Sequence, residues 1–347
     1  MNGDFSKIIC NEHARSLLAS LIREDKLSHA YILHGPDGSG KRTFAKLIAA
    51  AAECANRHEK GFPLPCEKCP SCEKILSENA VDVKYISRQP GKASITVSQI
   101  RELQSDVSLS ATEQKNKIYV IEEAHLMNEQ AQNAFLTTLE EPPENVLFLL
   151  LSENNDALLE TIKSRAQTIP MEKIPDEKMR DHLVKISPKA RSLSASDGDS
   201  LSEIIVSSGG CIGRALSFIE TKEGKALFAR RTAATEFLSC CLDRRKKAEL
   251  VALFSSLSQK KREELTELFS LVFEALRDLA VIKKSDGGKN VFFASDDEAA
   301  KFLEFTSLGG IFTMSDATKN AMAALSSNAN VQITLSNLLV ELQKKQY

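Results

Sequence analysis

The sequence lacks a hydrophobic run long enough to cross a membrane. Its most apolar stretch, residues 146–151, is far shorter than the roughly 20 residues that a bilayer-spanning helix needs. Residues 1–10 also lack the apolar core of a signal peptide. We therefore expect a cytoplasmic protein, whose cysteines bind metal or pack in a core rather than form disulfides.

An excess of charge of one sign is also lacking. The 45 Lys and Arg residues against 47 Asp and Glu residues leave a formal net charge of −2. This near-neutral net charge argues against a protein that binds DNA mainly through its own basic surface. It still allows DNA binding by an assembly that contains the protein. Tryptophan is absent, and the composition is otherwise that of an ordinary soluble protein. A chain of 347 residues is too long for one core and predicts two or three domains.

A phosphate-binding loop is the most informative motif that is present. Residues 35–43 read G-P-D-G-S-G-K-R-T, between an apolar strand at 31–33 and an alanine-rich helix at 44–51. This strand-loop-helix context is the one that the P-loop pattern requires. The alternative is a glycine-rich turn without a ligand. If the motif is a P-loop, backbone N–H groups and one lysine hold the phosphates of ATP or ADP. The residues concerned are Gly35, Gly38, Gly40 and Lys41.

One position of this motif departs from the pattern. Arg42 stands where a serine or threonine hydroxyl normally coordinates Mg²⁺, and a guanidinium has five donors and no lone pair for a metal. We therefore expect a site that binds nucleotide but hydrolyses it poorly, with Mg²⁺ disfavoured. In the alternative interpretation, Thr43 or water replaces the missing hydroxyl and the chain is an ATPase.

Four cysteines have the spacing of a structural zinc site. They follow a C-x11-C-x2-C-x2-C pattern, and four thiolates complete a tetrahedron without an open position for catalysis. The prolines and Gly61 around them indicate a small irregular module, at about 54–72, that the metal must order. The alternative is a set of free buried cysteines. The predicted zinc ligands are Cys54, Cys66, Cys69 and Cys72, whereas Cys10, Cys211, Cys240 and Cys241 are interpreted as packing residues.

The remaining pattern predicts an α/β domain followed by helices. Short apolar runs at 117–121 and 146–151 are typical of buried parallel strands, and residues 128–140 between them have helical spacing. We predict a nucleotide-binding domain with a parallel sheet at 1–170, a small helical domain at 171–222 and an all-α domain at 223–347. One loop is predicted at 285–289.

Two acids and two arginines complete the candidate nucleotide site. Glu122 and Glu123 follow the strand at 117–121, where Glu122 could hold Mg²⁺ and Glu123 could act as a base. Ordinary acids at a helix start are the alternative. Arg165, at the predicted domain edge, could reach the γ-phosphate of another subunit, and Arg214 could approach this chain's own nucleotide. A surface salt bridge or a solvated side chain is the alternative for each arginine.

Together these motifs resemble those of AAA+ clamp-loader subunits of bacterial DNA polymerase III. L-E-E-P-P at 139–143 beside the zinc spacing is the most specific feature, and the usual S-R-C of the family is S-R-A at 164–166. Besides the P-loop and the cysteines, the matching segments are 29–31, 95–103, 117–125, 139–143, 164–165, 210–216 and 328–342.

The resemblance implies an AAA+ domain with a zinc-binding insertion, a lid at 171–222 and an oligomerising collar at 223–347. It also implies a hetero-pentamer with gamma or tau and delta subunits, which opens a sliding clamp and closes it around primed DNA, with no polymerase centre in this chain. One member of that family need not hydrolyse ATP and presents its arginine, here Arg165, to a neighbouring gamma or tau subunit. Arg42 and the absence of a long tail after the collar favour this member over a gamma- or tau-type motor.

A free-standing nucleic-acid-binding module is the other alternative. It is motivated by the zinc module and by basic clusters at 230–231, 244–247 and 260–262. These clusters lie in predicted amphipathic helices, so we interpret them as solvated helix faces.

Overall fold

A computed structural model describes residues 4–59, 61–196, 198–284, 292–293, 296–327 and 329–344. The chain divides into two compact units. The first comprises the residues up to His182 together with Cys211–Gly213, and the second comprises Leu183–Gly210 and the residues from Arg214 onward. The three-domain division at 170 and 222 stays a prediction.

The first unit is built on a five-stranded parallel sheet with the order β2-β3-β4-β1-β5. The predicted strands are confirmed as β1, β3 and β4. The short strands β2 and β5 were not predicted, because they lie at the sheet edges and their partly exposed residues leave no continuous apolar run. The strands are β1 Ala30–His34, β2 Val83–Ile86, β3 Lys117–Ile121, β4 Val146–Ser152 and β5 Gln167–Pro170.

Helices cover both faces of this sheet. Alternate residues of β1 enter different cores, since side chains of a strand point to opposite faces. Tyr31 and Leu33 pack in the core that contains α1 and α2, whereas Ala30 and Ile32 pack in the core that contains α4 and α5. The first seven helices in chain order are α1 Glu12–Arg23, α2 Lys41–Ala52, α3 Pro70–Leu76, α4 Val97–Val107, α5 Glu129–Glu140, α6 Glu160–Lys163 and α7 Asp176–Ile186.

The described residues after α7 are mainly helical, as predicted. A third hydrophobic core contains Phe237, Phe254 and Phe269, in which the ring of Phe237 contacts each of the other two rings. The loop predicted at 285–289 lies outside the described residues. No helix in the described part of the chain is long and apolar enough to span a membrane. The helices are α8 Pro188–Ser196, α9 Gly198–Ser208, α10 Ile212–Glu220, α11 Lys222–Leu242, α12 Lys247–Leu257, α13 Arg262–Lys284, α14 Asp296–Leu303, α15 Leu308–Ser326 and α16 Val331–Lys344.

Candidate functional site

The predicted P-loop lies at the carboxyl edge of the sheet, where it joins β1 to α2. Gly35 N–H donates to the Ser152 carbonyl at the end of β4, with a distance of 3.0 Å. Gly38 and Gly40 have φ values of 74° and 94°, which side-chain-bearing residues rarely adopt. The loop therefore has the backbone conformation that the glycine spacing predicts, in the place where α/β sheets bind ligands.

Gly213 packs directly on this loop. Its N–H donates to the Gly38 carbonyl at 2.8 Å, and a Cβ on Gly213 would lie 3.0 Å from Gly38 Cα. This contact lies within the first unit, to which Cys211–Gly213 belongs. Residues 210–216 carry part of the family resemblance, but the sequence did not indicate that a glycine there touches the loop.

The Lys41 ammonium is held across the loop that precedes it. Its Nζ donates to the carbonyls of Gly35 and Pro36, at 2.7 and 2.8 Å. These two hydrogen bonds tie the start of α2 to the first residues of the loop. The positive charge therefore lies beside the backbone N–H groups that would hold a phosphate.

Arg42 contacts the acid at the end of β3. Its Nε lies 3.1 Å from Glu122 Oε1, and the Glu122 side chain is 21% exposed. The contact is ionic rather than a directed hydrogen bond, because this buried oxygen has no hydrogen-bond partner among the described residues. Glu122 N–H in turn donates to the carbonyl of Ile86 at the end of β2. The structure thus brings Arg42, where the motif departs from its pattern, into contact with Glu122, the acid predicted to hold Mg²⁺.

Two further residues, Glu78 and Tyr85, contact the Arg42 guanidinium, and sequence reasoning missed both. Nη2 lies 3.3 Å from Glu78 Oε2, and Glu78 Oε1 lies 2.5 Å from Lys46 Nζ. The guanidinium carbon also lies 5.2 Å from the ring centroid of Tyr85, and burial raises the pKa of that phenol to about 12. Since Glu78 and Tyr85 are distant from the loop in sequence and match no motif, the sequence carried no signal for them.

The residues around the loop do not fit a magnesium ion. Mg²⁺ needs oxygen ligands, but Arg42 supplies none and its guanidinium already contacts Glu122. Thr43, the alternative ligand, is exposed on the first turn of α2. Glu123 has a left-handed backbone (φ 49°), and its Oε2 lies 3.6 Å from Arg88 Nε.

The four predicted zinc ligands converge. All four are buried, and their sulfur atoms lie within 4.8 Å of one another. Sulfurs bound to one zinc ion at about 2.3 Å are roughly 3.8 Å apart, so the set fits a tetrahedral site. The Cys72 thiol donates to the Ala50 carbonyl at 3.4 Å, and its interaction with the neighbouring Cys54 is the main cause of the lowered pKa of Cys54. Zinc bound by these thiolates would cross-link the end of α2, the following loop and α3, and would have no catalytic position.

An ion pair outside the cysteine pattern braces this module. Asp4 Oδ1 accepts hydrogen bonds from Arg23 Nη2 and from Leu64 N–H, each at 2.8 Å. Arg23 also donates to the carbonyls of Arg57 and Glu59. The backbone around the cysteines is therefore tied to α1. Composition did not indicate this, because the partners are separated by 19 and 60 residues.

Arg165, the predicted trans arginine finger, follows α6 directly. Its Nη2 lies 3.0 Å from Glu140 Oε1, and its Nη1 donates to the Thr161 carbonyl at 3.1 Å. The guanidinium is 35% exposed, and Glu140 belongs to the L-E-E-P-P segment. The salt bridge considered as the alternative is thus present in this chain. It leaves the role of Arg165 in an assembly as a prediction.

Arg214 lies in the second unit. Burial is the main cause of the lowered pKa of Arg231, and the nearby charge of Arg214 adds to it. The predicted approach of Arg214 to the nucleotide stays a prediction.

The basic clusters in the second unit are partly engaged within the protein. Arg230 pairs with Glu267 at 2.9 Å, and Arg231 stacks on Phe292 and donates to its carbonyl. Arg262 donates to the Leu325 carbonyl near the end of α15. The interpretation as solvated faces is therefore wrong for Arg231 and Arg262, whereas Arg230 and its partner are exposed. Their engagement also weakens the case for a DNA-binding surface.

Comparisons with known proteins agree with the motifs. Residues 10–175 match the family model described as DNA polymerase III, delta subunit. The delta prime subunit of Bacillus subtilis is 35% identical over 191 residues, which are 54% of this chain and 56% of that protein. The tau subunit of the same organism is 31% identical over 216 residues, 62% of this chain and 37% of that protein. A solved structure of the B. subtilis clamp loader delta protein aligns at 11% identity with a TM-score of 0.45, over 95% of this chain and 99% of that one.

The parallel sheet with a glycine loop and lysine at the end of β1 defines a P-loop α/β domain. The predicted resemblance to bacterial DNA polymerase III clamp-loader subunits is confirmed for residues 10–175, which match the family model. Because relatives of both the delta prime and the gamma or tau kind match, these similarities do not separate the two kinds. The chain spans about half or less of the length of these relatives.

Proposed function

We propose that this chain is a delta prime subunit of a bacterial DNA polymerase III clamp loader. In this role it hydrolyses little or no ATP itself and supplies Arg165 to the ATP site of a neighbouring gamma or tau subunit. Its partners would be gamma or tau and delta subunits in a cytoplasmic hetero-pentamer that loads a sliding clamp on primed DNA. The residues from about 223 onward would form the collar that joins the subunits.

The contact between Arg42 and Glu122 is the observation that carries this proposal. An ATPase of this class uses a hydroxyl after the P-loop lysine and an acid at the strand end to hold Mg²⁺. Here a cation stands at the first position and lies 3.1 Å from the acid at the second. A subunit that does not bind the metal can still act in an assembly by completing the ATP site of its neighbour.

The position of Arg165 supports the second half of the proposal. Its guanidinium is partly exposed, and the salt bridge to Glu140 is also partly exposed. Exposed pairs of this kind contribute about 0–1 kcal/mol. The arginine can therefore leave Glu140 for a phosphate at small cost, and a guanidinium is well suited to bind phosphate through two parallel hydrogen bonds.

A gamma- or tau-type motor is the second candidate function. Similarity to gamma and tau subunits favours it, as does the retention of Lys41 and of an acid at position 123. In that case Thr43 or water would replace the missing hydroxyl, and Glu123 would activate the attacking water. Sustained phosphate release by the purified chain with ATP and Mg²⁺ would support the motor and contradict the delta prime role.

Reconstitution tests the proposed function directly. The chain is assembled with gamma or tau and delta subunits, and ATP turnover and clamp loading on primed DNA are measured. We expect Arg165→Ala to assemble normally and to slow the site that receives the finger by on the order of 10³. Arg101→Ala, an exposed arginine on α4, is the matched control. Unchanged loading by the Arg165 variant would overturn the finger assignment.

A further inference from the structure

We propose that the P-loop binds a nucleoside diphosphate or triphosphate without a divalent cation, and that the Arg42 guanidinium takes the place of the metal. The inference rests on the proposed function, since it concerns the nucleotide site of the same non-hydrolysing subunit. It goes further by stating the chemical form of the ligand and the residue that compensates its charge.

Arg42 and a magnesium ion would compete for the Glu122 carboxylate. In a P-loop site that works with Mg²⁺, the strand-end acid holds the metal directly or through water. Here Glu122 Oε1 lies 3.1 Å from Arg42 Nε and is buried. A magnesium ion at this oxygen would have to displace the guanidinium or lie next to its positive charge. The two cations therefore exclude each other at this carboxylate.

The Arg42 guanidinium is held in place from three sides. Besides Glu122, it contacts Glu78 at 3.3 Å and lies over the ring of Tyr85. Glu78 is itself fixed by Lys46, which lies one helical turn after Arg42 on α2. Two carboxylates and an aromatic face therefore position the guanidinium although its side chain is partly exposed. Its position at the start of α2 is part of the folded structure.

The loop and Arg42 together provide donors for a phosphate group. The loop retains the glycines and the lysine that hold phosphates, and Arg42 adds planar donors at the same helix N-terminus. Its side chain is 54% exposed, and its Nη1 has no ion pair or hydrogen bond with any described residue. Arg42 can thus contact Glu122 and a phosphate oxygen at once. The single positive charge of Arg42 then replaces the two charges of Mg²⁺. We therefore expect nucleotide binding that is weaker than in a magnesium site and that does not need the metal.

The test measures ADP binding to the full chain by titration calorimetry, with and without Mg²⁺. The magnesium-free buffer is passed over a chelating resin, because a soluble chelator would also remove zinc from the cysteine site. We expect Mg²⁺ not to strengthen ADP binding by the wild-type chain, and to weaken it only as far as Mg²⁺ sequesters free ADP, because the metal-free form is the ligand. In Arg42→Thr, which restores the hydroxyl, we expect Mg²⁺ to strengthen binding on the order of tenfold. Arg101→Thr is the matched control and should behave like the wild type.

Mn²⁺ binding gives a readout that is independent of affinity. With ADP bound, the electron paramagnetic resonance signal of free Mn²⁺ should persist for the wild-type chain and decrease for Arg42→Thr. If that variant does not fold, the wild-type signal alone still decides the question.

Three results would overturn the proposal: strengthening of wild-type binding by Mg²⁺ of about tenfold or more, stoichiometric Mn²⁺ in the wild-type complex, or no ADP binding in either buffer. The last result leaves the proposed function intact. That function fails if Arg165→Ala does not affect the assembled loader, or if the purified chain with ATP and Mg²⁺ shows sustained phosphate release.

Discussion

Arg165 Nη2 lies 3.0 Å from Glu140 Oε1, so the candidate finger and the L-E-E-P-P segment share a salt bridge. The two side chains are 35% and 52% exposed. We expect Arg165→Ala and Glu140→Ala each to change the free energy of unfolding of the isolated chain by less than about 1 kcal/mol, because exposed pairs contribute little. Urea denaturation measures this. A larger loss would mean that the pair is structural, and any loss of turnover in the assembly would then need another explanation.

The cysteine cluster predicts one zinc ion per chain. Cys72→Ala should abolish zinc binding and lower the melting temperature, because the irregular module between α2 and α3 depends on the metal for its order. Elemental analysis after dialysis and thermal unfolding measure the two effects. Cys240→Ala, at a buried cysteine of the second unit, is the control that should retain zinc. Full zinc content in the Cys72 variant would contradict the assigned ligand set.

Asp82 predicts a pH-dependent contribution to stability. Burial opposes ionisation, but the N–H groups of Thr112, Glu113 and Gln114 donate to the carboxylate, and the net effect is a lowered pKa. A lowered folded-state pKa stabilises the protein above the unfolded value, about 3.9, and this stability is lost as the pH falls through the folded value.

Asp82→Ala should therefore cost about 1–3 kcal/mol at pH 7, where three backbone donors lose their acceptor. The difference from the wild type should shrink as the pH is lowered below about 4. Urea denaturation across this pH range provides the measurement. A difference that stays constant down to acid pH would show that the carboxylate charge is not responsible.

The close approach of Gly213 to Gly38 predicts that a side chain at position 213 would clash with the P-loop. A Cβ at this position would lie 3.0 Å from Gly38 Cα and 3.1 Å from its carbonyl oxygen, and backbone cannot move away as a flexible side chain can. Gly213→Ala should therefore destabilise the chain by about 1–3 kcal/mol and weaken any nucleotide binding.

Gly198 is the matched control for this substitution. It also begins a helix, but a Cβ there meets nothing within 4 Å. Gly198→Ala should be neutral or stabilise by up to about 1 kcal/mol, because alanine has the higher helix propensity. Thermal unfolding of both variants provides the comparison. Equal effects would mean that the close approach of Gly213 to the loop is not maintained in solution.

Local patterns of the sequence were enough to predict part of the fold and of the site. Gly38 and Gly40 of the P-loop adopt a left-handed backbone, and the four cysteines converge as predicted. The strands β3 and β4 were visible because each is a short, fully buried apolar run. The edge strands β2 and β5 carry no such run and were missed.

By itself the sequence determined which chemical groups stand at the nucleotide site, including a guanidinium where a hydroxyl is usual. Such motifs are contiguous or closely spaced, so their geometry follows from local backbone conformation. Only the tertiary structure decided what that guanidinium contacts. Glu78, Tyr85 and Glu122 reach Arg42 from separate elements of the chain. Their meeting depends on the order of the strands in the sheet and on the packing of α2 and α3, which no local pattern encodes.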